Sequence, residues 1–388
     1  MKKILIFGIV FGLLTGCGSS LDTTKKEEDK KEEKDTNTRV HFVGVGDNLI
    51  HETIYQEAER LKGSEGDGKY NFQPMYKHVK EDIQKGDISF INQETIVGGQ
   101  DLGLSGYPVF NSPTEVVSDL HETGFNLFNL ATNHSLDKGS DGIANTLQAF
   151  KSYDDITYAG IYESEAASQE IATFEKQGIK FSFLAYTYGT NGIEPNHPYE
   201  INYFDEEKIR ADVTKAKAIS DVVIVSAHWG DENTFAPNEF QTQYAKLFAD
   251  LEVDVVIGTH PHTIQPIEWI EGEHGNKTLV VYSLGNFIGG MLSVDNILSG
   301  MIRFDFVKDN KSGNITIENV KWIPLVIHFE GNQANILEER NQYSVYKLQE
   351  YSDELVENHV LNGYEGQVVS LTSLMQKTKE VVKEEFLK

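Results

Sequence analysis

The sequence is dominated by short apolar runs that alternate with segments of helical periodicity. The runs are rich in Val, Ile and Phe, a composition typical of strands buried on both faces. They lie at Val40–Val45, Ile88–Ile91, Leu127–Ala131, Phe181–Ala185, Val222–Val225, Val255–Ile257 and Leu279–Tyr282. Between them, apolar residues recur at helical spacing, as at Met75, Val79 and Ile83. This alternation predicts an α/β fold with mainly buried strands.

The last part of the chain has a different pattern. Apolar and polar residues alternate in Met301–Val307 and Asn314–Trp322, which predicts a β-hairpin. Residues 338–388 instead place their apolar side chains on one side of a helical pattern. We therefore expect one main domain over residues 40–335 and a helical extension over residues 336–388 that packs on the same domain.

The first residues have the pattern of an export signal. Lys2 and Lys3 precede an apolar segment, Ile4–Leu14, that is too short to span a bilayer as a permanent helix. Small residues then lead to Cys17, which is the only cysteine in the chain. The segment resembles the lipobox of bacterial lipoproteins, which implies a signal peptide over residues 1–16 and a lipidated Cys17 at the extracytoplasmic face of the cell membrane. The alternative is a plain signal peptide that is cleaved nearby.

Residues 17–39 and the overall charge restrict the possible partners. The segment 17–39 has almost no apolar side chains, so it cannot offset the entropy of ordering and is predicted to be a disordered charged linker. The chain carries a formal net charge of −26. This charge excludes nucleic acid as a partner, because phosphate binding requires clustered Lys and Arg. An anionic ligand would have to be held by metal ions or by a local basic pocket.

Polar residues that can bind metals or transfer protons follow five of the predicted strands. The carboxyl ends of strands in an open α/β sheet form one ligand-binding edge, so we expect these side chains to lie close together. They are Asp47, His51, Glu94, Asn133, His134, Asp137, His228, His260 and His262. One such residue alone is more often a helix cap, but nitrogen and oxygen donors at five strand ends indicate a metal centre.

The spacing of these residues suits two metal ions. His260 and His262 are two positions apart, so they would point to the same side of an extended segment and could serve two neighbouring ions. Glu94 is the natural bridge, because its two oxygens can each bind a different cation. Carboxylate, imidazole and amide ligands without sulfur suit Mn, Fe, Zn or Mg, and the sequence does not choose among these ions. We therefore expect two divalent metal ions as cofactors.

The segments around these residues resemble the successive motifs of the CapA family of capsule (poly-γ-glutamate) synthesis proteins. The matching strings are VGVGDNLIH, FINQET, NLATNHSLDKG, SAHWGDE, GTHPHTIQPIE and YSLGNF, in the order of the family and over roughly residues 40–290. The resemblance implies a fold similar to that of calcineurin-like metallophosphoesterases, which is an αββα four-layer sandwich with a two-metal centre.

The resemblance also implies a role for each residue of the site. The implied metal ligands are Asp47, Glu94 in the bridging position, Asn133, His228, His260 and His262. His134 would be the general acid beside the metals. We add Asp137 as the residue that orients His134, because it follows at a short distance along the chain.

Two positions depart from the metallophosphoesterase pattern. The first strand of those enzymes carries Asp-x-His, whereas here Leu49 stands two residues after Asp47. Either His51 supplies the missing ligand from the following turn, or one metal lacks a ligand. Glu94 stands in place of the usual Asp, which lengthens the bridging arm by one methylene.

Two further residues have open roles. Trp229 could form a wall of the site and stack on a substrate, or it could pack in the core beside His228. Asn286 ends another predicted strand, and it could contact substrate or serve as a turn amide that satisfies backbone groups.

For function, the resemblance implies a cell-surface lipoprotein that supports synthesis or export of an anionic capsule polymer. Such a protein would work with a polymer synthase or export complex, and its metal site would act on a phosphorylated intermediate or hold carboxylates. Two alternatives stay open. One is a free-standing extracellular metal-dependent phosphoesterase or nucleotidase, and the other is a non-catalytic scaffold or binding subunit with a degenerate metal site.

Overall fold

The computed structural model of the protein describes residues 37–63 and 68–388. The predicted signal peptide, Cys17 and nearly all of the predicted linker lie outside the described residues. Residues Asn37–Lys388 form one compact unit. Within the described ranges, no helix combines the length and the apolar character needed to cross a bilayer.

The described residues form two β-sheets and the helices that cover them. The strands are β1 (Thr38–Asn48), β2 (Ile88–Gln93), β3 (Leu127–Asn129), β4 (Thr157–Ala159), β5 (Ala172–Lys176), β6 (Ile179–Thr187), β7 (Val222–His228), β8 (Val255–Thr259), β9 (Ile267–Glu271), β10 (Lys277–Val281), β11 (Asn286–Ile288), β12 (Leu298–Lys308), β13 (Ile315–Gly331) and β14 (Arg340–Lys347). The α-helices are α1 (Glu52–Lys62), α2 (Gln73–Tyr76), α3 (Lys80–Ile83), α4 (Glu115–Thr123), α5 (Gly139–Phe150), α6 (Glu165–Ser168), α7 (Glu206–Ile219), α8 (Glu239–Asp250), α9 (Val294–Ile297), α10 (Asp353–Asn358) and α11 (Leu371–Val381). Short 3₁₀ turns lie at Gln100–Leu102, Gln333–Asn335, Leu348–Glu350, Tyr364–Gly366 and Glu384–Phe386.

Both sheets are mixed, and each has a parallel centre. The first sheet has the order β14-β13-β12-β1-β2-β3-β4, and β11 pairs in parallel with the end of β1. Strands β1 to β4 are parallel, whereas β12, β13 and β14 run antiparallel to their neighbours. The second sheet has the order β5-β6-β7-β8-β10-β9, with β6, β7, β8 and β10 parallel. The central strands of each sheet therefore end at a common edge, where polar side chains can meet.

The two sheets pack face to face through a core of aromatic and aliphatic side chains. Phe90 of the first sheet lies edge-on against Phe183 of the second at 6.2 Å, and Phe306 lies against Phe181 at 5.1 Å. Helices α7 and α8 cover the other face of the second sheet and bury a separate apolar cluster there. Helices α1, α2 and α3 pack on the first sheet. The fold is the predicted αββα sandwich.

The predicted strands and hairpin are confirmed, and one element was predicted wrongly. Each of the seven apolar runs lies in or overlaps a strand, and β12 and β13 form the hairpin. Residues 338–388, however, are not all helical, because Arg340–Lys347 form strand β14 at the edge of the first sheet. This strand is mostly polar, and pairing with β13 rather than apolar content determines its conformation. Helices α10 and α11 follow it, as predicted.

Candidate metal centre

Parallel strands from both sheets bring the predicted ligands to one place. Asp47 lies at the end of β1, and Glu94 directly follows β2 in the same sheet. His228 is the last residue of β7, and His260 directly follows β8 in the second sheet. All four side chains are buried. The site is therefore formed where the carboxyl ends of the two sheets face each other.

Two groups of ligand atoms consist only of buried residues, and they share Glu94. Glu94, His228 and His260 form the first group, and Asp47, Glu94 and His262 form the second. Within each group the ligand atoms lie within 4.8 Å of one another, and every member is buried. His228 and His260 therefore lie in one group, His262 lies in the other, and Glu94 belongs to both.

The contacts of the Glu94 carboxylate within the cluster are too long to be hydrogen bonds. Nε2 of His262 lies 3.6 Å from Oε1 of Glu94, and Nε2 of His228 lies 3.9 Å from the same oxygen. Both carboxylate oxygens of Glu94 are buried and have no hydrogen-bond partner, and the same is true of Nδ1 of His260. Buried polar atoms are normally paired, because an unpaired one costs its full desolvation energy. The donor set therefore fits divalent cations, which would satisfy these atoms.

Neighbouring polar groups orient His228 of the first group. Nε2 of His228 lies 2.9 Å from Oδ1 of Asn133, and its Nδ1 lies 3.0 Å from Oγ1 of Thr259. The Asn133 amide is oriented in turn by a 3.3 Å contact between its Nδ2 and Oδ1 of Asn191. With Nδ1–H directed to Thr259, both Nε2 of His228 and Oδ1 of Asn133 are available to a cation between them.

The second group is oriented by two asparagines. Oδ1 of Asp47 accepts a 2.7 Å hydrogen bond from Nδ2 of Asn92. Nδ1 of His262 lies 2.9 Å from Oδ1 of Asn286 and 3.2 Å from Oδ2 of Asp47, and Nδ2 of Asn286 donates to the backbone oxygen of Asn296. Asn286 is fully buried and satisfies a backbone oxygen, which is one of the two roles considered from the sequence, and it also positions His262.

The protonation states follow from burial and from the carboxylates. Burial holds the pKa values of His228 and His260 well below the usual range, so both rings are neutral at pH 7 and able to bind a metal. Burial raises the pKa of Glu94 well above its usual value. Burial alone would lower the pKa of His262, but the carboxylates of Glu94 and Asp47 raise it to about 10. A cation binding here would displace these protons.

The predicted acid and its orienting residue lie beside the cluster. Nδ1 of His134 lies 2.7 Å from Oδ2 of Asp137, which also accepts a 2.6 Å hydrogen bond from the backbone N–H of Phe110. The Phe110 ring packs edge-on against the His134 ring at 4.7 Å. Asn191 contacts both His134 and Asn133, which connects the pair to the cluster. This geometry leaves Nε2 of His134 as the atom that can exchange a proton.

The segment that carries His260 and His262 is not the extended one that was expected. The backbone at His260 has φ +97° and that at His262 has φ +57°. Residues other than glycine rarely adopt positive φ values. Each such residue costs about 1–3 kcal/mol, and residues of this kind are concentrated at functional sites. The rings of His260 and His262 both belong to the cluster, but a turn of the chain brings them there instead of an extended segment.

Two glycines allow the close backbone approaches that position the site. A Cβ on Gly46 would lie 1.8 Å from the backbone oxygen of Gly285, and a Cβ on Gly258 would lie 2.0 Å from that of Tyr282. The N–H of Asp47 donates to the same Gly285 oxygen at 2.9 Å. Glycine at 46 therefore lets β1 approach the turn before β11 and fixes the backbone of Asp47.

Two of the predicted site residues do not join the cluster. Trp229 is fully buried among Phe204 and Tyr282, and its Nε1 donates to the backbone oxygen of Tyr282 at 3.0 Å. It is a core residue, so the substrate-binding role is wrong. His51 belongs to neither group, and its Nδ1 accepts a 3.0 Å hydrogen bond from the N–H of Gly290. The structure therefore does not support His51 as the substitute ligand for Leu49.

Sequence reasoning missed several residues of the site. Glu232 forms a third group with His260 and His262 and is the one exposed carboxylate among the grouped residues. Glu232 lies in the same short motif as His228, and this proximity was the sequence signal that could have identified it. Tyr188 packs against the His260 ring at 4.6 Å, and Asn92 and Thr259 hold ligands from inside strands. Only the three-dimensional arrangement reveals these contacts.

Comparison with known proteins places the chain in a family. The model of the family described as "Bacterial capsule synthesis protein PGA_cap" matches residues 41–291. The chain is 33% identical over 177 residues to the "PGA biosynthesis protein CapA" of Bacillus subtilis, an alignment that covers 45% of each protein. It is 29% identical over 180 residues to the "Capsule biosynthesis protein CapA" of Bacillus anthracis, which covers 45% of this chain and 42% of that protein. The chain thus spans about half the length of these curated relatives.

Two similar chains among solved structures are described as a phosphatase and a putative 5'-nucleotidase. A phosphatase from Mycoplasma pneumoniae aligns with a TM-score of 0.44 and 13% identity, over 75% of this chain and 94% of that one. A putative 5'-nucleotidase from Staphylococcus aureus aligns with a TM-score of 0.44 and 16% identity, over 74% of this chain and 54% of that one.

The family model covers well over half of the chain and includes each of the strand ends that form the two ligand groups. The protein belongs to the bacterial capsule synthesis protein family PGA_cap.

Proposed function

We propose that this protein binds two divalent cations and uses them to hydrolyse a phosphoester during synthesis or export of an anionic capsule polymer. One observation carries the proposal. The carboxylate of Glu94 is buried without a hydrogen bond at either oxygen, and it is shared by two three-residue ligand groups. A carboxylate that is shared in this way can bind one cation through each of its two oxygens and so bridge a pair of cations.

The residues around the cluster have separate tasks in this proposal. Two bound cations would activate a water molecule for attack on phosphorus and would neutralise charge on the phosphoryl oxygens. Asp47, Asn133 and the three histidines would supply ligand atoms that hold the cations. His134, oriented by Asp137 through the 2.7 Å contact, donates a proton to the leaving oxygen.

The family supports the capsule role. The two Bacillus relatives are described as proteins of PGA and capsule biosynthesis, and the family match over residues 41–291 includes the candidate site. An acidic protein of net charge −26 repels an acidic polymer, so local cations would provide the attraction. The working partners in this proposal are a polymer synthase or export complex and a phosphorylated intermediate.

A binding role without hydrolysis is the second candidate. Leu49 is buried where metallophosphoesterases carry a histidine, and His51 does not replace it. The second group thus has only Asp47, Glu94 and His262 as charged or imidazole ligands. A weakly held second ion would favour gripping carboxylates over hydrolysis.

Metal content and hydrolysis together test the proposal. We expect the purified full chain, loaded with Mn²⁺ or Zn²⁺ and gel-filtered, to retain two ions per chain and to hydrolyse p-nitrophenyl phosphate. Elemental analysis and absorbance measure the two quantities. Two ions without hydrolysis would support the binding role instead, and absence of retained metal would contradict both.

The surface location is also part of the proposal. It is supported by the export pattern before Cys17, which lies outside the described residues. We expect the full chain, expressed in a bacterium, to sediment with the membranes. The Cys17→Ser variant should instead appear in the soluble extracellular fraction. Immunoblots of the two fractions measure the distribution. Equal membrane association of both forms would show that Cys17 does not anchor the chain.

A further inference from the structure

A cavity opens beside the candidate metal centre, and a buried arginine lines it. The cavity has a volume of about 580 Å³, and its walls include His51, Asn233, Asn296 and Arg340. Pockets of this size hold small ligands or segments of larger ones. Leu337 and Tyr107 also line the cavity, and both are largely exposed at its opening.

The cavity adjoins the candidate metal centre directly. The side-chain amide of Asn296 donates to the backbone oxygen of His262 at 3.2 Å and to Oδ1 of Asn233 at 2.8 Å. On the other side, the Phe110 ring packs edge-on against both His51 and His134. The cavity wall therefore contacts residues of the candidate metal centre.

Arg340 has no counter-ion in the described part of the chain. It is 5% exposed, and no carboxylate of residues 37–63 or 68–388 lies within ion-pair distance of its guanidinium. Its Nη1 donates to the backbone oxygen of Gly290, while its Nε is buried without a hydrogen-bond partner. The nearby Glu57 pairs with Arg60 instead, at 2.9 Å. A buried charge of this kind is normally paired, so Arg340 is poised for an anion from outside the chain.

The other charged groups of the cavity do not cancel this attraction. Glu52 and Asp295 line it as well, but both are exposed, so solvent and salt screen their charges. The guanidinium is buried and is screened much less. The inner end of the cavity therefore favours an anionic group.

We propose that the cavity is a subsite in which Arg340 binds an oxyanion, carboxylate or phosphate, carried by the substrate next to its reacting group. The inference rests on the proposed function, because it assigns part of the substrate of the same metal centre. Arg340 lies in β14, beyond residues 41–291 that match the family model. The guanidinium has the donor geometry that both kinds of oxyanion accept.

Binding measurements on the metal-free full chain test the subsite. We would titrate the chain in EDTA with glutarate and, separately, with inorganic phosphate by isothermal calorimetry. We expect one of these probes to bind with one site per chain, and the Arg340→Gln variant to bind it at least about tenfold more weakly. The probe that binds identifies the oxyanion as a carboxylate or a phosphate.

Three variants separate anion binding from a structural role of Arg340. Leu337→Trp fills the opening of the cavity without changing Arg340, so it should also weaken binding of the probe, as Arg340→Gln does. Arg340→Lys keeps the charge and should retain part of the affinity. Arg60→Gln removes a neighbouring arginine that is paired with Glu57, and it should bind as the unmodified chain does.

Two results would overturn the subsite. One is absence of binding of both probes to the unmodified chain, and the other is unchanged affinity in both Arg340→Gln and Leu337→Trp. Because these titrations contain no free metal, their failure is distinct from failure of the metal-content test. Binding of a probe by a chain that retains no metal would support the subsite and contradict the proposed chemistry.

Discussion

Replacing Glu94 with glutamine is expected to lower the retained metal from two ions per chain to fewer than one. Glu94 belongs to both ligand groups, so a single substitution removes a ligand from each ion. Loss of a supporting residue beyond the ligands typically costs 10–100-fold in metal affinity, and loss of a shared ligand should cost more than about a hundredfold. Elemental analysis after gel filtration measures the retained ions.

The same variant should behave differently without metal. In the metal-free chain, the buried carboxyl of Glu94 lacks hydrogen bonds, so glutamine removes a group that is costly to bury in its charged form. We expect the melting temperature of the metal-free Glu94→Gln variant to equal or exceed that of the unmodified metal-free chain.

A matched control for Glu94 is Glu115→Gln. Glu115 also has a buried oxygen without a hydrogen-bond partner, but it belongs to none of the three ligand groups. This variant should retain two ions. Retention of two ions by Glu94→Gln itself would mean that the carboxylate is not a shared ligand.

Replacing His134 with alanine is expected to lower the rate of hydrolysis about 10²–10⁴-fold while metal content stays at two ions. The His134 ring is not a member of any ligand group, and its Nδ1 is held by Asp137. An acid catalyst matters most when the leaving group is a poor one. The loss should therefore be larger with phenyl phosphate than with p-nitrophenyl phosphate, whose leaving group needs little protonation.

His197→Ala is the control for this substitution, because His197 is exposed and lies outside every ligand group. It should leave both rates unchanged. The rate of hydrolysis by Asp137→Asn should lie between the rates of the control and of His134→Ala. This substitution disturbs the orientation of His134 but keeps its ring. An equal loss with both substrates in His134→Ala would indicate a structural role rather than an acid.

Much of the fold was predictable from sequence because its central strands are parallel and buried. Such strands are continuous apolar runs, as in β1 and β7, and they stand out from the helices between them. The short strand β4 and the mostly polar edge strand β14 lack this signal. Their conformation depends on the neighbours with which they pair, which a sequence pattern does not contain.

The same contrast applies to the site. Asp47, Glu94 and His228 were predictable because each ends a recognisable strand. The sequence left Trp229 open between a core position and a substrate contact, and it gave no indication that Glu232 approaches the site, although both residues lie within a few positions of His228. The direction of a side chain after a strand depends on the turn that follows, and the sequence does not specify that turn.

The unusual backbone at His260 and His262 has a consequence for how the family can change. Glycine would adopt the positive φ values at these two positions without a steric cost, whereas histidine adopts them at a loss of stability. Under the proposed function, a descendant that no longer bound ions would gain stability by acquiring glycine there. Glycine at these two positions in a related sequence would then indicate that the site has been lost.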